Sequence, residues 1–318
     1  MQEALGLAHT APFKTREESG WRVAWEAAGY AEDATALSGG AFFDFSSWAC
    51  LRLTGPDAWD FLNRLSTLNF KSWDPARTRL GAFLTGRSGV VSLGFFQSNG
   101  KDSFRLWVGP EQKAALAEHI EKMHFAEKLE CTDCSADWAL FAVKGFDPGS
   151  VAAHWPDPRV SGLEWVVLPR TQAEASMQHW RDQGHPLVGE RLYEYLRMQV
   201  GLPRVGRELA AQTMLLEAGL EDAVDRGKGC YPGQEVIERI FTYGQVNRKL
   251  VRVKWSGSLN PESLPLTFER DGKTAAVLVA ADINPGAANA GIGLAFVGKQ
   301  FWNPGEAFES PGLELVVA

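Results

Sequence analysis

The sequence predicts an α+β protein made of two mixed units followed by a small all-β module. Three observations carry that prediction. Short alternating apolar runs are punctuated by Gly and Asn-Gly turns, helical spacings interrupt those runs, and after Tyr243 the pattern becomes alternation alone. The 318 residues are ample for two or three packed cores. Hydrophobic residues at 45% and charged residues at 22% are ordinary values for a globular chain.

From Trp48 the chain alternates, with Ala49, Leu51 and Leu53 on one side, as a half-buried strand does. Thr54-Gly55-Pro56-Asp57 then starts a helix that sets Ala58, Phe61, Leu62 and Leu65 on one face. Strands are expected over 80–85, 90–97 and 104–108, separated by Gly86, Gly89 and Asn99-Gly100. A helix over 110–123 follows, with Leu116, Ile120 and Met123 at helical spacing. A similar order recurs faintly: a strand over 140–144, Gly145-Phe146-Asp147-Pro148 echoing Gly55-Pro56-Asp57, a strand over 163–168, and a helix over 171–183. A last helix over 190–200 ends at Gly201-Leu202-Pro203. Beyond it Val251, Val253 and Trp255 alternate with Arg252 and Lys254. Asp271-Gly272 joins two strands, and further strands over 292–297 and Leu313–Val317 complete a small barrel or sandwich. The expected domains are residues 1–130, 131–242 and 243–318, the first two free to interleave.

The net charge of -7 argues against a broad nucleic-acid surface, and no apolar run approaches the ~18 residues that span a membrane. Met1 to Gly20 carries Glu3, Glu17 and Glu18, unlike a signal or Arg-rich transit peptide. Four cysteines are too few for a disulfide scaffold, so reduced thiols and a cytoplasmic location are expected.

The most unusual segment runs Arg226-Gly227-Lys228-Gly229-Cys230-Tyr231-Pro232-Gly233-Gln234-Glu235. Pro232-Gly233 suits the centre of a type II turn, and apolar Val236, Ile237 and Ile240 continue it as a helix. Cys230 is thereby expected in a tight loop just ahead of a helix N-terminus. Lys228, Arg226 and the helix end would all favour a thiolate there. The residues alone leave a nucleophile, a metal ligand and a buried structural cysteine open.

Lys228, Gly229, Cys230, Tyr231, Gly233, Gln234 and Glu235 resemble the Lys-Gly-Cys-Tyr-x-Gly-Gln-Glu signature of the YgfZ family, folate-binding relatives of the glycine-cleavage T-protein. The stretches from Met198 to Pro203, Met214 to Leu220 and Asp44 to Ala58 are similar to the segments that flank that signature or are shared with T-proteins. The resemblance implies a three-domain, GcvT-like cloverleaf around a central channel: two α+β units and a C-terminal β-barrel. It further implies tetrahydrofolate or a derivative as ligand and Cys230 as the catalytic residue. The implied role is in assembly or repair of iron–sulfur proteins and, through them, in tRNA modification. An iron–sulfur cluster would be held at most transiently, and the partners would be iron–sulfur clients or assembly proteins, with no direct nucleic acid and no membrane. Trp48 and Tyr193 stand where family members place aromatics, and a flat pteridine would stack there; core packing is the plainer alternative. Arg197, on the helix with Tyr193, is a candidate for a folate carboxylate, against the plainer reading of a solvated helix-face charge.

One departure bears on chemistry. T-proteins carry an Asp-Asp pair after a Gly-rich turn, whereas the matching stretch here is Ser88-Gly89-Val90-Val91-Ser92-Leu93. Neither Ser92 nor Leu93 supplies a carboxylate, and the pterin-binding glutamate of T-proteins has no counterpart in register, Glu164 being the nearest acid. Ordinary aminomethyltransferase activity is therefore not expected. A folate-dependent one-carbon transfer or demethylation through Cys230 and a non-catalytic scaffold are the alternative readings. Cys131-Thr132-Asp133-Cys134 has redox or half-metal-site spacing, but no second Cys-x-x-Cys accompanies it and the YgfZ signature does not include it. The histidines at 9, 119, 124, 154, 179 and 185 give no zinc spacing on one helix face, so no metal is expected. Phosphate-loop and nucleophile-elbow patterns are absent.

Overall fold

The computed structural model describes residues 2–3, 5, 13–74, 77–100, 102–210 and 212–318. His9 and part of the Met1–Gly20 segment lie outside them. In chain order come β1 (Gln2–Glu3), β2 (Lys14–Glu18), β3 (Trp21–Glu26), α1 (Tyr30–Gly39), β4 (Ala41–Asp44), β5 (Ala49–Thr54) and α2 (Ala58–Leu65). They are followed by β6 (Arg79–Leu84), β7 (Val90–Ser98), β8 (Ser103–Val108), α3 (Lys113–Met123), β9 (Glu130–Asp133), β10 (Trp138–Lys144), β11 (Ala153–Pro156) and β12 (Leu163–Pro169). Then come α4 (Arg170–Asp182), α5 (Glu190–Gln199) and α6 (Gln234–Tyr243). The chain ends in β13 (Arg248–Gly257), β14 (Leu266–Arg270), β15 (Lys273–Ile283), β16 (Ala290–Gly298), β17 (Ala307–Ser310) and β18 (Leu313–Val317).

Two compact units divide the chain. The first comprises Met1–Asn63, Asn69–Gly81 and Ser92–Glu194, the second Arg64–Leu68, Ala82–Val91 and Tyr195–Ala318.

In the first unit a four-stranded sheet has the order β11-β12-β10-β4, and β1, β3 and β2 form a small sheet of their own. A five-stranded sheet runs β6-β7-β8-β5-β9; the ends of β6 and β7 nearest their connecting turn are counted with the second unit. Strands cross the expected boundary near residue 130 in both directions: β4 pairs with β10, and β9 pairs with β5. The alternation of β5 appears as read, with Ala49, Leu51 and Leu53 buried and Arg52 exposed. On α2, Ala58, Phe61, Leu62 and Leu65 are all buried, and the turn before it is closed by the Ala58 N–H donating to the Gly55 carbonyl at 3.1 Å. α4 buries Met177 and Trp180 in a core with Phe42, Phe141 and Val166, in which Trp180 meets Phe42 and Phe141 edge to face.

In the second unit the C-terminal sheet runs β14-β15-β16-β13-β18-β17. Its inner face packs Val253, Trp255, Phe268, Leu278 and Leu315. The terminal strands are drawn together by Arg270, which donates to the Ala307 carbonyl at 2.7 Å and pairs with Glu306, so the sheet is a near-closed small barrel. Asp271 (φ 53°) and Gly272 (φ 68°) make the two-residue hairpin turn that the Asp-Gly pair predicts.

Candidate functional site

The signature segment belongs to the second unit, and each of its residues has a distinct place there. Gly233 caps α6 in the left-handed conformation (φ 82°, ψ -3°), and the Gln234 N–H closes the preceding turn onto the Tyr231 carbonyl at 3.2 Å. A Cβ at Gly233 would lie 2.8 Å from the Ser88 Cα and 2.8 Å from the Thr85 carbonyl oxygen. The cap therefore rests directly on the Thr85–Ser88 turn. That turn is rigid in its own right: Ser88 is fully buried at φ 61°, its N–H donates to the Thr85 carbonyl, and its carbonyl accepts from the Leu215 N–H. Tyr231 is buried, and burial pushes its phenol up to about 12. Gln234 is half-buried, while Gly229, Cys230 and Glu235 are exposed. Glu235 lies in the first turn of α6, where the helix end favours an anion.

Lys228 departs from the expectation that it would add charge beside the thiol. Its side chain is 7% exposed and turned inward; the ammonium donates to the carbonyls of Ser66 and, at 2.7 Å, Leu68, and lies 4.8 Å from the Tyr231 ring centre. Arg226 is likewise engaged, 3.3 Å from the Glu238 carboxylate and over the Phe241 ring. The lysine works as a strut that ties the signature loop to residues 66–68. The tie is reinforced by the Thr67 hydroxyl donating to the Ala223 carbonyl at 2.6 Å and by the Asp225 N–H donating to the Thr67 carbonyl at 3.0 Å. Backbone carbonyls bear no side-chain signature, so nothing in Ser66-Thr67-Leu68 marks it in sequence as the partner of this loop.

Burial pulls the Lys228 ammonium down from its ordinary value of 10.5 to about 7, Asp225 acting in the opposite sense. The neutral amine still has an N–H for each carbonyl. Between about pH 7 and 10.5 the unfolded chain therefore binds more protons at this position than the folded one, so stability rises with pH through that window. Wild type should gain about 1–2 kcal/mol relative to Lys228→Met between pH 7 and pH 9 in urea unfolding. A difference between the two proteins that stays flat with pH would show that the lysine does not titrate there.

The other candidates are placed as follows. Trp48 and Tyr193 lie in the first unit, in one aromatic cluster with Phe45 and Trp165. Trp48 is half-buried and stacks at 16° on Phe95. Tyr193 is 3% exposed and sits edge-on to Phe43, Phe45 and Trp165. Arg197 is not a solvated helix-face charge. It is 2% exposed, forks onto the Glu208 carboxylate at 2.8 and 3.1 Å, and donates to the Leu202 carbonyl at 3.0 Å. Ser92 is buried with its hydroxyl on Gln112 Oε1 at 3.1 Å, and the Leu93 N–H meets the same oxygen at 2.8 Å. An amide therefore stands against this stretch, and neither of its residues is an acid. Among the described residues no group of three His, Cys, Asp or Glu side chains is arranged to hold a metal ion, and no helix is long and apolar enough to cross a membrane.

Comparison with known proteins defines the class of fold first. Over 99% of this chain and 96% of the other, the fold is that of the glycine cleavage system aminomethyltransferase T from Bartonella henselae, with a TM-score of 0.85 and 18% identity. The chain thus has a GcvT-like fold. Residues 1–157 match the family model described as the GCVT N-terminal domain, a stretch that contains the Asp44–Ala58 segment singled out above.

Relatives then narrow the neighbourhood. The chain is 26% identical over 258 residues to a chloroplastic protein of Arabidopsis thaliana named as a transferase, covering 72% of this chain and 59% of that one. The match thus spans little more than half the length of that relative. It is 27% identical over 325 residues to the mitochondrial iron-sulfur cluster assembly factor IBA57 of Homo sapiens, covering 90% and 85%. It is 24% identical over 309 residues to an aminomethyltransferase of Rubrobacter xylanophilus, covering 88% and 82%.

Proposed function

We propose that this chain is a YgfZ-type, folate-binding accessory factor for the assembly or repair of iron–sulfur proteins, with Cys230 as its reactive group. The observation that carries the reading is the presentation of Cys230. Lys228 and Tyr231 are buried on either side of it and Gly233 is locked against the Thr85–Ser88 turn, while the cysteine itself is exposed. A loop anchored so firmly around one exposed sulfur is built to hold that sulfur in place. The similarity to the human IBA57 assembly factor supports the iron–sulfur side of the reading, and the GcvT-like fold supports the folate side. The cluster is then cargo, met through Cys230 and client proteins, and tRNA modification is an indirect consequence. The proposal keeps the cytoplasmic location expected from the sequence, although the plant and human relatives are named chloroplastic and mitochondrial.

Tetrahydrofolate fits the residues present in part. Trp48 is only half-buried and so leaves part of its indole open to a ligand, whereas the Tyr193 ring is enclosed on several sides and the Arg197 guanidinium is already held by Glu208. In this reading Trp48 is the stacking residue, Tyr193 supports it through Phe45 and Trp165, and Arg197 acts as a structural strut. Folate would bring a one-carbon carrier to the protein; the chain's own part is to orient it and to present the Cys230 thiol.

The test is a pair of measurements on Cys230→Ala. Tetrahydrofolate affinity by calorimetry should stay within about twofold of wild type, since the cysteine is not the proposed stacking group. Support of an iron–sulfur methylthiotransferase in cells should be lost. Full support by the alanine variant refutes the role of the sulfur. The similarity to aminomethyltransferases favours one second reading, a folate-dependent one-carbon transferase. Formation or consumption of labelled methylene-tetrahydrofolate by the purified protein would select it, although Ser92 and Leu93 leave it without the usual carboxylate at that position.

A further inference from the structure

Cys50, Cys131 and Cys134 all lie in the first unit, and the sequence pairs the last two by spacing. The sheet pairs them otherwise. β9 runs antiparallel to β5 in the register Leu51–Asp133, Arg52–Thr132, Leu53–Cys131. Side chains alternate across a strand, so Cys131 and Asp133 share a face with Leu51 and Leu53, while Thr132 shares the opposite face with Arg52. One step past the last ladder pair, Cys134 stands opposite Cys50, with its N–H on the Cys50 carbonyl at 2.9 Å. The two sulfurs are 3.1 Å apart. Cys131 belongs to the other face of the strand and is half-buried, its thiol pushed up to about 11 by burial.

We propose that Cys50 and Cys134 are a redox pair that a hydroperoxide converts to a cross-strand disulfide, with Cys131 excluded from it. One backbone bond joins the pair, the Cys50 N–H going instead to the Ser135 hydroxyl at 3.0 Å, and facing antiparallel residues lie roughly 4.5–5.5 Å apart at Cα, inside the ~4.4–6.8 Å window that a disulfide requires. Closing the bond shortens the sulfur separation from 3.1 Å to about 2.05 Å within the existing strand pairing. The partners are unequal. Burial pushes the Cys50 thiol far up. Cys134 is drawn down, first by the hydrogen bond with Cys50 and then by the nearby Arg105 and Arg52 guanidinium groups.

Cys134, the less deeply buried of the two, is oxidised first. The Cys134 thiolate attacks one peroxide oxygen; an S–O bond forms, the O–O bond breaks, and the departing oxygen takes up a proton and leaves as water or an alcohol. The Cys50 sulfur then attacks the sulfenic sulfur of Cys134. The S–S bond forms, the S–O bond breaks, and the Cys50 proton leaves with the hydroxyl as water. Two thiols are oxidised, one peroxide is reduced, and a thiol reductant reverses the change. Cys134 is only 2% exposed and Cys50 wholly buried, so hydrogen peroxide, the smallest hydroperoxide, is the oxidant to use.

The experiment treats the purified full chain with hydrogen peroxide, blocks free thiols under denaturing conditions, and maps the linked peptides by mass spectrometry. The Cys50–Cys134 peptide should be the principal intramolecular disulfide. It should disappear on reduction, persist in Cys131→Ala and Cys230→Ala, and be lost in Cys134→Ala. A Cys131–Cys134 linkage would overturn the pairing. Recovery of Cys50 and Cys134 as free thiols, after peroxide has oxidised Cys131 or Cys230, would overturn the redox role. The wild-type map alone decides both points, so neither depends on how well the variants fold.

Discussion

Gly233→Ala should cost about 2–5 kcal/mol of stability, measured as a lowered urea midpoint at unchanged slope. Two costs combine at this residue. An alanine at φ 82° meets the left-handed penalty of roughly 1–2 kcal/mol. Its Cβ would also lie under 3 Å from backbone atoms of Thr85 and Ser88, and backbone held by its own hydrogen bonds yields poorly. The neighbouring glycines separate these costs. Gly227 has φ 75° with nothing within 4 Å of an added Cβ, so Gly227→Ala should show the conformational penalty alone. Gly229 has neither a left-handed φ nor a neighbour within 4 Å, so Gly229→Ala should stay within about 0.5 kcal/mol of wild type. The order 229, 227, 233 of increasing cost is the expected result. Equal costs at 227 and 233 would show that the α6 cap does not press on the Thr85–Ser88 turn.

Much of this arrangement could be read from the sequence, and the limits have physical causes. The β5 alternation, the α2 face, the Asp271-Gly272 hairpin and the Pro232-Gly233 start of α6 are local, and each is decided by residues within a few positions of one another. Partner choice is not local. Nothing in Ala41–Asp44 says that β4 will join β10, nor anything in Glu130–Asp133 that β9 will join β5, because alternation fixes a strand's faces and not its neighbours. β2 escaped the reading because its Lys-Thr-Arg-Glu-Glu run is almost wholly exposed and carries no apolar period. The same division applies at the site. The loop ahead of a helix was legible around Cys230, but the inward turn of Lys228 was not, since its acceptors are backbone oxygens some 160 residues away. The cysteine spacing at 131 and 134 left the role of the pair open for a related reason: a three-residue step along a strand puts the two side chains on opposite faces, and the neighbour of the Cys134 sulfur comes from β5.

Arg197 is where a structural strut and a folate-carboxylate contact make opposing predictions. Glu208→Gln should destabilise the protein by about 3–5 kcal/mol, because it leaves a guanidinium buried beside a neutral amide. Arg197→Met should cost a similar amount by stranding the Glu208 carboxylate and the Leu202 carbonyl. The glutamate also accepts the Arg204 N–H at 2.7 Å, a contact that glutamine can keep through its own carbonyl. The double variant Arg197→Met/Glu208→Gln should therefore cost clearly less than the sum of the singles, the shortfall exceeding about 1 kcal/mol in a double-mutant cycle. Additive losses would show that the pair is not coupled. Folate affinity then separates the two roles. If Arg197 is a strut, tetrahydrofolate should bind the folded fraction of the double variant as tightly as it binds wild type. If Arg197 meets the folate carboxylate, affinity should fall about tenfold or more, because a charge-assisted contact is removed from the ligand itself. The 2% exposure of the side chain and the engagement of its fork by Glu208 favour the strut. A tenfold loss in a well-folded double variant would require the ligand to displace Glu208, and would make that displacement the first step of folate binding.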